Sequence, residues 1–392
     1  MLNKNLEKTD GFSDFLPFVR PEISEEAITE IVDCLRSGWV CSGPRVGIFE
    51  QNLRDYLSEK CVLSFTSGTA ALFLALKSLN LQPGDEVITS SLTFVATANA
   101  IMEAGGLPRF VDIDASYNMD IKKVQAAITP RTKAIVPVHF AGLPVDLDPL
   151  YELAQRHGVR VIEDAAHALG ASYKGRKIGS FGDMQMFSFQ GTKNVSSIEG
   201  GALVIRDDAT AQRLSHLRFH GIDRDAWNRF TKKGTQHYDV QEPGYKFNLP
   251  DVNAALGIDQ LKRLDKNVAI RQKMADIYFE LLESCPYVTL PQLPGYEHQH
   301  AWHIFPVLIN EEVLGMSRDN FMAEMKEYNI GTGFHYQPVH LFSFYRHKVG
   351  YKEGSLPLTE DVGKRIVSLP FFIGLTRDDQ ERIVTVMKKM IK

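Results

Sequence analysis

The sequence predicts an α/β protein, with a large domain around a mostly parallel central sheet and a smaller α/β domain after it. Three observations carry this. Short apolar runs rich in β-branched or aromatic residues recur through the N-terminal half. Several are separated by segments of helical periodicity, the alternation that builds parallel sheets. After about residue 250 the texture changes to a long amphipathic stretch and a second, shorter set of strands and helices.

In chain order, "CVLSF" reads as the first strand and "TAALFLALKSLNL" as a helix. The turn residues of "QPGDE" lead into the strand of "DEVITS". "PRFVDI" and "KAIVPVHF" are the next strands, then a helix in "LDPLYELAQRHG" that Gly158 ends. "VRVIED", "MQMFSF" and "GALVI" complete the strands of the large domain. Residues 223–243 lack clean periodicity and read as a long loop, a length often tied to function. The stretch from "DVNAALG" to "FELLES" reads as one long helix leading out of the large domain. Beyond it, "AWHIFPVLI" and "IGTGFHY" read as strands, and "SRDNFMAEMKEYN" and "TRDDQERIVTVMKKMI" as helices. The expected division is residues 1–255 and 256–392.

Composition narrows the function classes. The chain has 392 residues, 44% hydrophobic and 23% charged, ordinary for a protein with a large core. Its formal net charge is −4 and no basic block is long enough for a nucleic-acid surface. Four cysteines, Cys34, Cys41, Cys61 and Cys285, form no CxxC pair and no disulfide framework. They read as reduced thiols of an intracellular protein. The start is polar and lacks the apolar region of a signal peptide. No apolar run reaches the roughly 18–20 residues that span a bilayer. The expectation is a cytoplasmic protein without metal or membrane.

Three strand ends carry chemistry. After Phe65, "TSGTA" opens a helix, leaving backbone N–H groups around Gly68 and Thr69 to face an anion such as phosphate. Ordinary N-capping by Ser67 or Thr69 is the other reading. In "VIEDAAHALG", Asp164 ends a buried run, where a carboxylate is costly unless paired. A protonated pyridine nitrogen would pair it; a cap on a following helix is the alternative. The methyl of Ala166 can lie flat on a ring, and His167 can bond a ring substituent or sit satisfied in the core. In "FSFQGTKN", Lys193 is placed to form an imine with an aldehyde, partial desolvation making it a base. Ser188 can reach the same phosphate. A turn lysine on the surface is the plain reading of Lys193 taken alone. The combination decides: an anion cradle, an acidic strand end and a lysine, each after an apolar run, gather at the carboxyl edge of an open sheet. Pyridoxal 5'-phosphate fits all three.

With these motifs, "SGWVCSGP", "GDEVITSSLTFVATANAI", "GYKFNLPDVNAALG" and "GTGFHYQPVH" among them, the sequence resembles the DegT/DnrJ/EryC1/StrS sugar aminotransferase family across nearly its whole length. Within that family it is most similar to the UDP-4-amino-4-deoxy-L-arabinose–oxoglutarate aminotransferase branch. The resemblance implies the aspartate-aminotransferase-like fold, fold type I of the pyridoxal-phosphate enzymes. It implies that Lys193 is the imine-forming lysine and proton shuttle, Asp164 the partner of the pyridine nitrogen, and His167 that of the ring hydroxyl. Phe94 and Ala166 would pack on the two ring faces. Gly68, Thr69 and Ser188 would bind the phosphate, with Asn248, or else Lys246 two residues before it, reaching the phosphate of the neighbouring subunit in a homodimer with shared sites. Trp39, Ser42, Gln190, His335 and Tyr336 are candidates for the substrate; Trp39 and His335 read equally well as structural residues.

The expected activity is transfer of an amino group from glutamate to a nucleotide-linked keto sugar, a UDP-4-keto sugar, for a cell-surface glycan or lipid A. One departure bears on this. Family members acting on sugar C4 often carry His three residues before the lysine, and those acting on C3 Tyr-Pro; here Gln190 stands there. Gln donates hydrogen bonds but does not titrate as His does. A 3-keto or dTDP-linked acceptor is the alternative. Sugar dehydratases of the family carry His at the lysine position, which Lys193 opposes. Non-catalytic regulators carry a DNA-binding segment, and no basic helix-turn-helix pattern is visible here.

Overall fold

The computed structural model describes residues 15–223 and 238–390. Strands β1 (Val62–Phe65), β2 (Glu86–Ser90), β3 (Leu107–Val111), β4 (Thr132–Val136), β5 (Arg160–Asp164), β8 (Met184–Ser188) and β9 (Gly201–Ile205) form one sheet in the order β1-β9-β8-β5-β4-β2-β3. The pairs from β3 to β8 are parallel, and β9 runs antiparallel between β8 and β1. The carboxyl ends of β1, β5 and β8 therefore share one edge.

Alternation within the strands sends side chains to two helical layers. Ile135, Val161, Phe187 and Val204 join one core with Phe49, Leu53, Leu150 and Leu153. Their neighbours Val136, Ile162, Met186 and Leu203 join the other, under the helix Gly68–Lys77. Both faces being covered, β2 and β9 are buried along their whole length, and β9, "GALVI", reads as an unbroken apolar run.

A short strand, β6 (Ser172–Tyr173), pairs with β7 (Arg176–Lys177) on one side and β11 (His298–Gln299) on the other. Strands β10 (Val288–Thr289), β12 (Phe305–Ile309) and β13 (Ile366–Leu369) form a second antiparallel sheet. A separate core surrounds it, with Tyr278, Phe305, Phe321, Val367 and Met387.

Three expectations are corrected. The long amphipathic stretch is two helices, Asp251–Lys262 and Leu264–Leu282, which meet at Arg263 (φ −95°, ψ −3°). The first faces the large-domain core with Ala254 and Ile258, the second reaches the C-terminal core with Met274 and Tyr278. The segment "IGTGFHY" is not a continuous strand: only Ile330 and Gly333 make isolated bridges, to Leu16 and Ser368. Its glycines pass too close for side chains, since a Cβ on Gly333 would lie 2.7 Å from the Phe18 ring. No helix follows Asp164, so the cap reading falls; turns occupy the next residues. Of the expected loop at 223–243, residues 224–237 lie outside the described residues. All four cysteines are free thiols. Among the described residues no helix is long and apolar enough to cross a membrane.

Asp251, fully buried, ties the N-terminal segment to the large domain. Its carboxylate accepts backbone N–H bonds from Gly43 (2.8 Å), Arg45 (3.1 Å) and Val46 (3.0 Å), capping the helix Pro44–Leu57. Asp251→Ala orphans those donors and should cost about 3 kcal/mol. A thermal midpoint several degrees lower in a calorimetric scan is the expected result.

Candidate active site

A cavity of about 520 Å³ opens at the carboxyl edge of the sheet. Gly68, Thr69, Phe94, Asp164, Ala166, His167, Ser188, Gln190, Lys193, His335 and Tyr336, all singled out from sequence, line it. Trp39, Ser42 and Asn248 do not. Asn248 bridges Phe65 at the end of β1, its Nδ2 donating to Ser42 Oγ (2.5 Å) and its Oδ1 accepting from Lys246 Nζ (2.6 Å).

Glycine sets the floor. The helix Gly68–Lys77 starts over the ends of β8 and β9, and Ser67 caps it by accepting from the Ala70 N–H (3.1 Å). A Cβ on Gly68 would lie 3.0 Å from Ser188 Cβ, and one on Gly201 would fall 2.4 Å from the Gly68 nitrogen. Both positions must be glycine for the helix start to sit against Ser188. Ser67 thus takes the capping role, and Gly68 and Thr69 are left facing the cavity.

Asp164, at the end of β5, is buried. Its Oδ2 accepts from Thr97 Oγ1 (2.7 Å) and its Oδ1 from the Ala166 N–H (3.2 Å). Burial holds the carboxyl above the usual carboxylate range, against those two bonds and the attraction of Lys193. Lys193 sits in the turn between β8 and β9, its N–H donating to the Gln190 carbonyl (2.8 Å). Desolvation lowers its ammonium to about 8, although Asp164 pulls the other way. Neutral and ammonium forms are therefore both populated at ordinary pH, the condition of a lysine nucleophile and base.

Histidines and a tyrosine complete the wall. His167 Nε2 is 3.1 Å from the Tyr336 hydroxyl, and its Nδ1 is buried without a partner. His335 Nδ1 bonds the Ser368 hydroxyl (2.9 Å). Burial, with Lys193 adding to it, keeps His167 far below the usual imidazole range and His335 at about 4. Burial raises the Tyr336 phenol. Phe94 stands 58% exposed at the mouth, 6.1 Å from the Tyr336 ring.

Gln190 is fixed by its own turn. Its Oε1 accepts from the Thr192 N–H (3.0 Å) and hydroxyl (2.6 Å). A backbone N–H only donates, so the oxygen is the bound end and the amide NH₂ is the end left to meet a ligand.

Two residues at the site carried no sequence signal. Thr97 lies within a helix, and only its contact with Asp164 distinguishes it. His303, whose Nε2 is 3.5 Å from Lys193 Nζ, arrives from the far side of the chain.

The sheet and the cavity at its carboxyl edge are those of an α/β protein with its site at the strand ends. The model of the DegT/DnrJ/EryC1/StrS aminotransferase family matches residues 21–388, and the chain belongs to that family. Spore coat polysaccharide biosynthesis protein SpsC of Bacillus subtilis is 43% identical over 380 residues, covering 96% of this chain and 97% of that protein. UDP-4-amino-4-deoxy-L-arabinose–oxoglutarate aminotransferase of Shewanella sediminis is 40% identical over 384 residues, covering 97% and 99%. Among solved structures, Spr1654 from Streptococcus pneumoniae in its PLP-form superposes with a TM-score of 0.87 at 29% identity, covering 96% of this chain and 100% of that one.

The electrostatics of Lys193 give a direct expectation. Trace acylation of the cofactor-free protein, followed by mass spectrometry of the peptide that contains Lys193, should titrate near pH 8. A midpoint in the ordinary lysine range, near 10.4, would contradict a desolvated amine.

Proposed function

We propose that this chain transfers an amino group from glutamate to the keto carbon of a UDP-linked 4-keto sugar, in the synthesis of a cell-surface glycan or lipid A. The single observation that carries the reading is one cavity lined by a desolvated lysine, a buried carboxylate and a glycine-floored helix start. The names of the two relatives, a polysaccharide biosynthesis protein and a UDP-sugar aminotransferase, support the substrate class.

The residues present fit pyridoxal 5'-phosphate. Among the described residues, buried Asp164 accepts one hydroxyl and one backbone N–H, His167 Nδ1 is an unpartnered polar atom in the wall, and a side chain at Gly68 would crowd Ser188. Lys193 would hold the cofactor covalently, and Asp164 would keep the ring nitrogen protonated. His167 Nδ1 would bond the ring hydroxyl, with Phe94 and Ala166 on the two faces. Gly68, Thr69 and the Ser188 hydroxyl would hold the phosphate at the helix start. The bound cofactor supplies an electron-poor ring that accepts the electron pair of the amino-bearing carbon.

The chain's own part is proton movement and orientation. The Lys193 amine would remove the proton from the donor carbon and return one on the acceptor half. Gln190 offers the acceptor sugar an N–H donor, and His335 and Tyr336 line the same side. Trp39, Ser42 and Asn248, which do not line this cavity, serve the partner's site in a cytoplasmic homodimer. We take the large domain to run past residue 255, through the helix Asp251–Lys262, whose Ile258 and Leu261 join its core.

Lys193→Ala should abolish turnover and the visible absorbance of the lysine-linked cofactor; full activity would refute the reading. A panel of UDP- and dTDP-linked 4-keto and 3-keto sugars, read by mass detection of the amine, tests the acceptor. Gln190→Leu should raise the acceptor KM about tenfold with a smaller change in kcat, as loss of one hydrogen bond predicts.

A further inference from the structure

His303 lies just before β12 and is only 5% exposed. Its place is set through the main chain: its N–H donates to the Ala141 carbonyl (2.8 Å), and its carbonyl accepts from Arg271 (3.3 Å). The ring lies against His167, centroids 4.3 Å apart. Nε2 is 3.5 Å from Lys193 Nζ, and Nδ1 is buried with no hydrogen-bond partner.

The groups that face this ring fix its charge. His167, Lys193, Arg271 and His335 all disfavour a second positive charge, and burial disfavours it most, so the imidazole stays neutral. Asp164, the buried carboxylate of the cavity, is spent on Thr97, the Ala166 N–H and Lys193. A neutral ring carries one proton. On Nδ1 that proton would be a buried donor without an acceptor, and orphaned N–H groups are rarer than orphaned acceptors. The proton therefore belongs on Nε2, which faces Lys193. An ammonium there would meet another N–H hydrogen, whereas a free amine offers its lone pair.

We infer that His303 is a positioning residue for Lys193: its Nε2–H meets the amine lone pair, favours the free amine over the ammonium, and keeps it turned into the cavity. This deepens the reading of Lys193 given above and rests on it. Nothing in the sequence separates His303 from the apolar run around it; the cavity geometry alone assigns the role.

The test uses cofactor-free protein, so it needs no turnover. Trace acylation of Lys193 is followed against pH in the parent and in two variants, with circular dichroism confirming the fold. In His303→Phe, which keeps the ring volume and loses the N–H, the Lys193 midpoint should move to higher pH by about 0.5–1 unit, the worth of one weak hydrogen bond. In His303→Gln, whose amide N–H reaches a similar point, it should return to the parent value. An unchanged or lower midpoint in folded His303→Phe overturns the assignment. Nitrogen NMR of ¹⁵N-histidine-labelled parent protein gives a check that needs no foldable Phe variant: the resonance lost in His303→Gln should report a proton on Nε2, and one on Nδ1 or on both overturns it. An inactive Lys193→Ala together with an unmoved midpoint removes the His303 assignment alone. An active Lys193→Ala removes the aminotransferase mechanism itself.

Discussion

A carboxylate buried at the end of a central strand is the constraint on which the site depends. Asp164 receives one hydroxyl and one backbone N–H, which leave its charge only partly compensated. The fold answers by bringing a cation to the same cavity. Strand β8 runs parallel beside β5, with Asp164 opposite Met186, so the turn that follows Ser188 returns Lys193 over the same edge. Antiparallel β9 then carries the chain away, and its first residue, Gly201, leaves room for the helix start above it. Carboxylate, amine and anion cradle are thus consequences of the order of four neighbouring strands, β1, β9, β8 and β5.

The C-terminal unit completes what the sheet begins. Phe334, His335 and Tyr336 enter the cavity from a segment that bridges to Ser368 of β13, and Tyr336 bonds His167 across the gap. Phe334 and Tyr336 pack in a cluster that joins Leu92 and Phe140 of the large domain to Leu308 and Ile366 of the C-terminal sheet, so the wall is tied to both. The opposite rim is open, with Phe94 exposed.

Most of the sheet was legible because its strands are buried on both faces and so appear as short apolar runs bounded by turn residues. Where such a run ends, the carboxyl edge begins, and that is why Asp164, Ser188 and Lys193 could be found. Features set by tertiary contact were not legible. The helix break at Arg263 lies inside an unbroken amphipathic pattern: Leu261 before it and Leu264 and Val268 after it join the same core, and the second helix places buried residues in the other core only from Met274. "IGTGFHY" has the composition of a strand, yet its glycines serve close approach to Phe18 rather than pairing. Thr97 and His303 reach the site from a helix and from 110 residues beyond Lys193, and no local period marks either.

The states of the cavity's nitrogen bases bear on how protons can move there. His167 and His303 are held far below neutrality and His335 at about 4, burial being the main cause for each. The Tyr336 phenol is raised by the same burial. Gln190 has no proton to exchange at these pH values. Lys193, at about 8, is left as the nitrogen base able to change state near neutrality. A site arranged this way routes proton transfer through one amine and gives its neighbours the work of holding and orienting. That division matches a reaction in which one proton leaves a carbon and is delivered to another position on the same face.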